Sequence, residues 1–211
     1  MFSSLTLFSY ALFFSLSYVN IGAGIGALIL FASVQLTMMA TAIIRGQKLI
    51  GREKIGIILA ICGFVYLLLP GLNMPPLIPA LLMVVSGVSW GVYSLLGQNG
   101  GDPIFNTSRN FVFTIPLVAL LLVFFPFNLS QSGFYWAILS GALTSGMGYV
   151  LWYVVLRDLT TSTAAIVQLS VPAIAAFGGI AFLDEQIQLR LIIASALIFL
   201  GIFLKVKPAE T

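Results

Sequence analysis

A small set of neutral polar and aromatic residues lies inside long apolar stretches of the chain. These are Gln35 and Thr37; Trp90, Tyr93, Ser94 and Gln98; Thr144, Ser145, Tyr149, Trp152 and Tyr153; and Gln168 and Ser170. On helices, spacings of three and four put Ser86, Trp90, Tyr93 and Gly97 on one face, and Ser145, Tyr149, Trp152 and Tyr153 roughly on another. Aromatic rings with a few hydroxyls and amides suit an amphipathic organic solute, which needs apolar contact and hydrogen bonds together. Gln35 and Gln168 must face protein or water, because an unpaired amide in hydrocarbon is costly. Joining two helices accounts for them as well as reading a solute does. Pro172 removes a backbone donor and bends its helix, freeing a carbonyl toward a pathway, although helix packing alone also explains it. The candidate binding set is Gln35, Trp90, Tyr93, Ser94, Tyr149, Trp152, Tyr153, Gln168 and Pro172. Trp136 reads as interfacial, and for Trp90 and Trp152 both an interfacial and a pathway-lining position stay open.

The residue types that are missing exclude most catalysis. There is no histidine, so no imidazole base and no His-ligated metal or haem. One cysteine, Cys62, rules out an intrachain disulfide and a cysteine-rich metal cluster. No Asp, Glu, Lys or Arg falls inside an expected span away from its ends, which removes the usual mark of a proton relay or ion site. We therefore expect no catalytic residue, no metal and no cofactor. Asp184 and Glu185 read as a helix cap rather than a binding pair. The net charge of +3 reports membrane topology and not a nucleic-acid partner.

The elements that must position these residues follow from composition. With 60% hydrophobic and only 7% charged residues and a mean hydropathy of +1.12, the 211-residue chain cannot be a water-soluble globule. A membrane helix takes about 20 apolar residues, and with short loops there is room for about eight. Apolar stretches predict helices over 2–19, 22–44, 55–71, 77–98, 111–127, 133–156, 162–183 and 189–206, separated by punctuation such as Pro70-Gly71-Leu72-Asn73 and Gly100-Gly101-Asp102-Pro103. A β-barrel would need alternating polarity, which runs such as 117–125 lack. The fold class is all-α, a polytopic membrane helix bundle. The opening residues lack the basic segment of a secretory signal and read as a first span. With both termini cytoplasmic, Arg45, Lys48, Arg52, Lys54, Arg109, Arg157, Lys205 and Lys207 fall inside and Arg190 outside.

Compared with itself, the chain places Ala27-Leu28-Ile29 through Ser33-Val34 against Ala164-Ala165-Ile166 through Ser170-Val171, with Tyr10 against Tyr149, Arg52 against Arg190 and Gly63 against Gly201. The offset, about 137 residues, corresponds to five spans; an odd number inverts the second copy, the construction typical of secondary transporters. Small-residue pairs at spacing four, Gly87 with Gly91, Gly141 with Ser145 and Thr144 with Gly148, predict close helix approach.

The stretch from Gly141-Ala142-Leu143 through Trp152-Tyr153, then Ser162-Thr163-Ala164-Ala165, Leu169-Ser170-Val171-Pro172-Ala173, Leu183-Asp184-Glu185 and Leu197-Ile198-Phe199-Leu200-Gly201, resembles the end of an EamA-type domain of the drug/metabolite transporter superfamily. The resemblance implies a complete five-helix repeat at 77–206 and the last three helices of another at 1–71. By the offset, the first two of the usual ten helices are missing, so the inverted repeat is incomplete. Gln35 and Gln47 depart from the pattern that Pro172 and Glu185 keep. The implied function is a permease or exporter of small organic metabolites, such as amino acids or amphipathic compounds. It would sit in the plasma or inner membrane and work by alternating access. The alternative is a shortened, non-transporting relative that partners or regulates another membrane protein. Implied partners are a small-molecule substrate, the lipid bilayer, and a second copy or another membrane protein.

Overall fold

The computed structural model describes residues 2–46, 51–69, 75–98, 101–124, 130–158, 171–172, 174–176, 178–184, 186 and 188–206. Among these, the regular structure is helical throughout. Eight helical segments follow one another: α1 (Phe2–Tyr18), α2 (Ala23–Ile44), α3 (Gly51–Leu68), α4 (Leu77–Gln98), α5 (Pro103–Phe124), α6 (Gln131–Asp158), α7 (Ile174–Leu183) and α8 (Leu189–Val206). Four of them, α2, α4, α5 and α6, are long and apolar enough to cross a membrane, and the others are shorter apolar helices. The chain is an all-α membrane helix bundle.

Local chemistry sets the helix ends. Gly46, at φ 88°, closes α2 in the left-handed conformation that glycine adopts without strain. Ser130 caps α6, its hydroxyl accepting from the Gly133 amide at 3.1 Å. Asp184 takes a φ of 52° immediately after α7, so it terminates that helix rather than opening the next. Glu185 lies outside the described residues. The main departure from expectation is α5, which starts at Pro103 and not near 111. Asp102 caps it, accepting from the Ile104 amide at 2.8 Å and the Phe105 amide at 3.5 Å, and proline is well suited to the first helical position. Residues 103–110, Arg109 among them, therefore belong to a helix and not to a loop. In the same way α3 starts at Gly51, ahead of the expected 55, and Arg52 donates through Nε to the Leu204 carbonyl at 3.1 Å.

The residues form two compact units. The larger comprises Ser9–Val92 and Thr160–Thr211, the smaller Met1–Phe8 and Tyr93–Leu159, so α1 and α4 each contribute to both. In the larger unit the core is built from Leu28, Ile29 and Leu30 of α2, Ala60 and Leu67 of α3, Ala80 and Met83 of α4, and Ala194 and Ile198 of α8. Glycines bring its helices together. Gly201 faces the backbone of Gly56 and Ala60, Gly63 faces Ala194 and Leu197, Gly87 faces Leu30 and Ser33, and Gly91 faces Val34 and Thr37. With hydrocarbon outside, such contact area contributes stability mainly through dispersion, which requires close approach. Ser17 and Ser86 add bonds across helices, donating to the carbonyls of Pro79 at 2.6 Å and Tyr10 at 2.9 Å.

Candidate functional site

In the smaller unit, Tyr93 near the end of α4 is fully buried. Its ring stacks on Tyr153 of α6, with centroids 5.3 Å apart and planes at 26°, and meets Tyr149 at 6.4 Å and 59°. Tyr149 in turn lies 6.0 Å from Phe111 of α5. Spacing places these rings: 149 and 153 are four apart and share a face of α6. Gly97, one turn beyond Tyr93, leaves room for the Tyr153 ring, since a Cβ there would collide with it.

Hydrogen bonds lock the rings. Tyr153 donates its hydroxyl to the Tyr93 carbonyl at 3.2 Å, and Asn110 donates through Nδ2 to the Tyr93 hydroxyl at 3.4 Å. Ser4 on α1 donates to Asn110 Oδ1, also at 3.4 Å. Pro103, Thr107 and Asn110, spaced by four and three, form the buried face of α5. The Arg157 guanidinium donates to the Gly101 carbonyl, tying the end of α6 to the segment before α5.

Among the described residues of this unit, three buried polar atoms have no hydrogen-bond partner: Ser94 Oγ, Thr107 Oγ1 and Trp152 Nε1. Each such group in a low-dielectric interior costs about 1–3 kcal/mol, so three in one unit are not incidental. All three can donate a hydrogen bond, and none is charged. Of these residues Thr107 borders a groove of about 580 Å³ between α5 and α6, lined by Ile104, Thr107 and Phe111 on one side and Gly141, Met147 and Val150 on the other. Its lining has no ionisable side chain. Such a surface can hold a solute by ring contact and neutral hydrogen bonds.

The expected site residues thus separate. Tyr93, Tyr149 and Tyr153 come together in the smaller unit, with Ser94 and Trp152 adjoining them in sequence. Trp90 belongs to the larger unit, where its ring meets Tyr10 at 4.8 Å and 45°, and Tyr10 continues to Phe14 at 5.9 Å. There a cavity of about 600 Å³ opens among α1, α2 and α7, lined by Tyr10, Phe14, Phe31 and Phe182. Gln35 is buried elsewhere in that unit, on a small void enclosed by Ala32, Gly56, Ala60, Ile198 and Gly201. Pro172 is buried in the turn of helix leading to α7, and Gln168 lies outside the described residues. Sequence reasoning missed Asn110, Ser4 and Thr107. The Asp102-Pro103 start signal was available for α5 and would have put Thr107 and Asn110 on a helical face.

Comparison with known proteins places the chain in a family. Residues 77–206 match the family described as EamA-like transporter family. An uncharacterized protein of Pseudomonas aeruginosa is 46% identical over 96% of this chain and 71% of its own length. The threonine/homoserine exporter RhtA of Salmonella typhimurium is 29% identical over 64% of this chain and 48% of its own. A crystal structure superposes with a TM-score of 0.65 at 18% identity, covering 96% of this chain and 74% of that one, which shows a shared fold. With the all-α architecture and the apolar helices, these findings identify the chain as an integral membrane protein that belongs to the EamA-like transporter family of the drug/metabolite transporter superfamily.

Proposed function

We propose that this protein carries small, net-neutral organic metabolites, amino acids or amphipathic compounds among them, across the cell membrane by alternating access. The observation that supports this reading is the smaller unit's cluster of Tyr93, Asn110, Tyr149 and Tyr153 with three unpartnered polar atoms beside it. A neutral donor set surrounded by rings binds the uncharged parts of a solute and the carbonyl or carboxylate oxygens of a zwitterion. The RhtA relative, a threonine/homoserine exporter, supports an amino acid as the first solute to try. The segments 1–71 and 77–206 act in this reading as partial and complete inverted repeats, with both termini cytoplasmic. A dimer or a partner membrane protein completes the pathway.

The experiment is flux in proteoliposomes with a panel of neutral amino acids, hydrophobic amino acids and amphipathic cations. Saturable flux of a net-neutral amino acid supports the reading, and flux confined to the cations contradicts it. A folded protein with no flux for any member contradicts it and favours the non-transporting partner.

A further inference from the structure

Helix α6 is hydrogen-bonded in two patterns. Residues Gln131–Ile138 and Gly148–Asp158 are α-helical, whereas Leu139–Met147 between them forms a π-helix. A π turn bonds i to i+5 and so holds one residue more than an α turn; it is rare, and most instances are a single turn. Nine consecutive residues is a long excursion. Small side chains run through it, Ser140, Gly141, Ala142, Ser145 and Gly146, and a Cβ at Gly146 would press on the Gly141 carbonyl at 3.3 Å. A Cβ at Gly141 or Gly148 would meet no atom within 4 Å. Among the described residues nothing stands against Gly141 or Gly148 to enforce the wider winding, and the groove of about 580 Å³ against Gly141, Gly146 and Val150 leaves space for the helix to turn. Beyond the segment, the buried indole N–H of Trp152 has no acceptor, while its neighbour Tyr153 holds the Tyr93 carbonyl.

We infer that α6 has two hydrogen-bond registers, and that loss of one π turn is the step that remodels the aromatic site. Reverting a single turn from i→i+5 to i→i+4 bonding winds everything C-terminal of it by about 100°, one residue's worth. With the Gln131–Ile138 end held, each residue beyond takes the angular place of its C-terminal neighbour. Trp152 then occupies the place of Tyr153, facing Gly97 and the Tyr93 carbonyl, and its orphaned N–H becomes the donor to that carbonyl. Tyr149 takes the place of Val150 and faces the groove. Gly148 takes the place of Tyr149, opening room beside Phe111 and Tyr93. The carbonyl keeps one donor in either register and the step is discrete, the two requirements of a two-state element. The register switch stands on helix geometry; only its use in transport rests on the carrier reading.

The test is fluorine NMR of the full chain in lipid nanodiscs, labelled with 5-fluorotryptophan, with the Trp152 line assigned by Trp152→Phe. Two Trp152 states are expected, seen as two lines or as one line with a partner revealed by saturation transfer. Two variants then move the populations in opposite directions. Deleting Ala142 removes one extra residue, so one π turn becomes α with Tyr153 still in its present place, and the second state loses population. G141A/G146A favours α winding at full length and shifts the population toward the second state by at least roughly tenfold. If the deletion does not fold, the double substitution decides alone. One Trp152 state in every folded variant, or the same shift in both variants, overturns the inference. Flux is scored separately: two Trp152 states without flux retire the carrier reading and leave the switch, and flux with one state does the reverse.

Discussion

In the larger unit, Gly63, Gly87, Gly91 and Gly201 each sit where another helix touches, and a Cβ would press into a neighbouring helix. In the smaller unit, Gly141 and Gly148 border open space, and three buried polar atoms wait for partners. Both regions use small residues at spacing four, yet in one they close a contact and in the other they leave a helix free to change its winding. The lesson is that the same motif is stabilising or permissive according to what stands opposite it. Stability lives in α2, α3, α4 and α8, and adaptable chemistry lives on α5 and α6.

The largest expected effect comes from breaking the first half of that comparison. Gly201→Val drives a branched side chain into the backbone of Gly56 and Ala60 and should destabilise the fold by about 3 kcal/mol or more, read as a large drop in thermal midpoint in detergent. Gly141→Ala, which meets nothing within 4 Å, should stay within about 0.5 kcal/mol of the parent. Equal losses for the two would remove the distinction.

Much of the architecture was legible in the sequence, and the reasons are specific. Apolar runs bounded by Gly, Pro and Asn placed α1, α2, α4 and α8 to within a residue or two, because an apolar helix leaves little choice of where backbone bonds are satisfied. The start of α5 was misplaced because Gly100-Gly101-Asp102-Pro103 reads as punctuation closing the preceding span as well as it reads as a helix start, and Asn110 was lost with it. The pairing of Tyr149 with Tyr153 on one face was legible from spacing, whereas the acceptor of Tyr153, a backbone carbonyl on α4, was not. Pairs at spacing four looked alike at 87–91 and 141–145, since spacing along one helix does not say which helix lies opposite. The π winding of Leu139–Met147 leaves only a run of small residues as its trace, which an ordinary α-helix tolerates equally.

Intermediate effects sharpen the second half. Tyr153→Phe removes the donor to the Tyr93 carbonyl while keeping the ring, and should lower flux severalfold with a stability loss of about 1 kcal/mol. Gln35→Leu alters a side chain enclosed among α2, α3 and α8, so it should change thermal stability by about 1 kcal/mol and leave the concentration for half-maximal flux unchanged. Trp90→Phe keeps an aromatic contact with Tyr10 and should cost about 1 kcal/mol in stability, with flux and solute preference unchanged.

The measurement that bears most directly on the central claim is counterflow of the best-transported solute in proteoliposomes, comparing the parent with Asn110→Ala and Gln35→Leu at matched folded protein. Asn110 joins Ser4 to the Tyr93 hydroxyl at the centre of the neutral cluster. Its loss should weaken flux roughly tenfold, about 1.4 kcal/mol, while Gln35→Leu keeps parental flux. Equal flux from Asn110→Ala and the parent, or a fall confined to Gln35→Leu, would contradict the assignment of the site to the smaller unit.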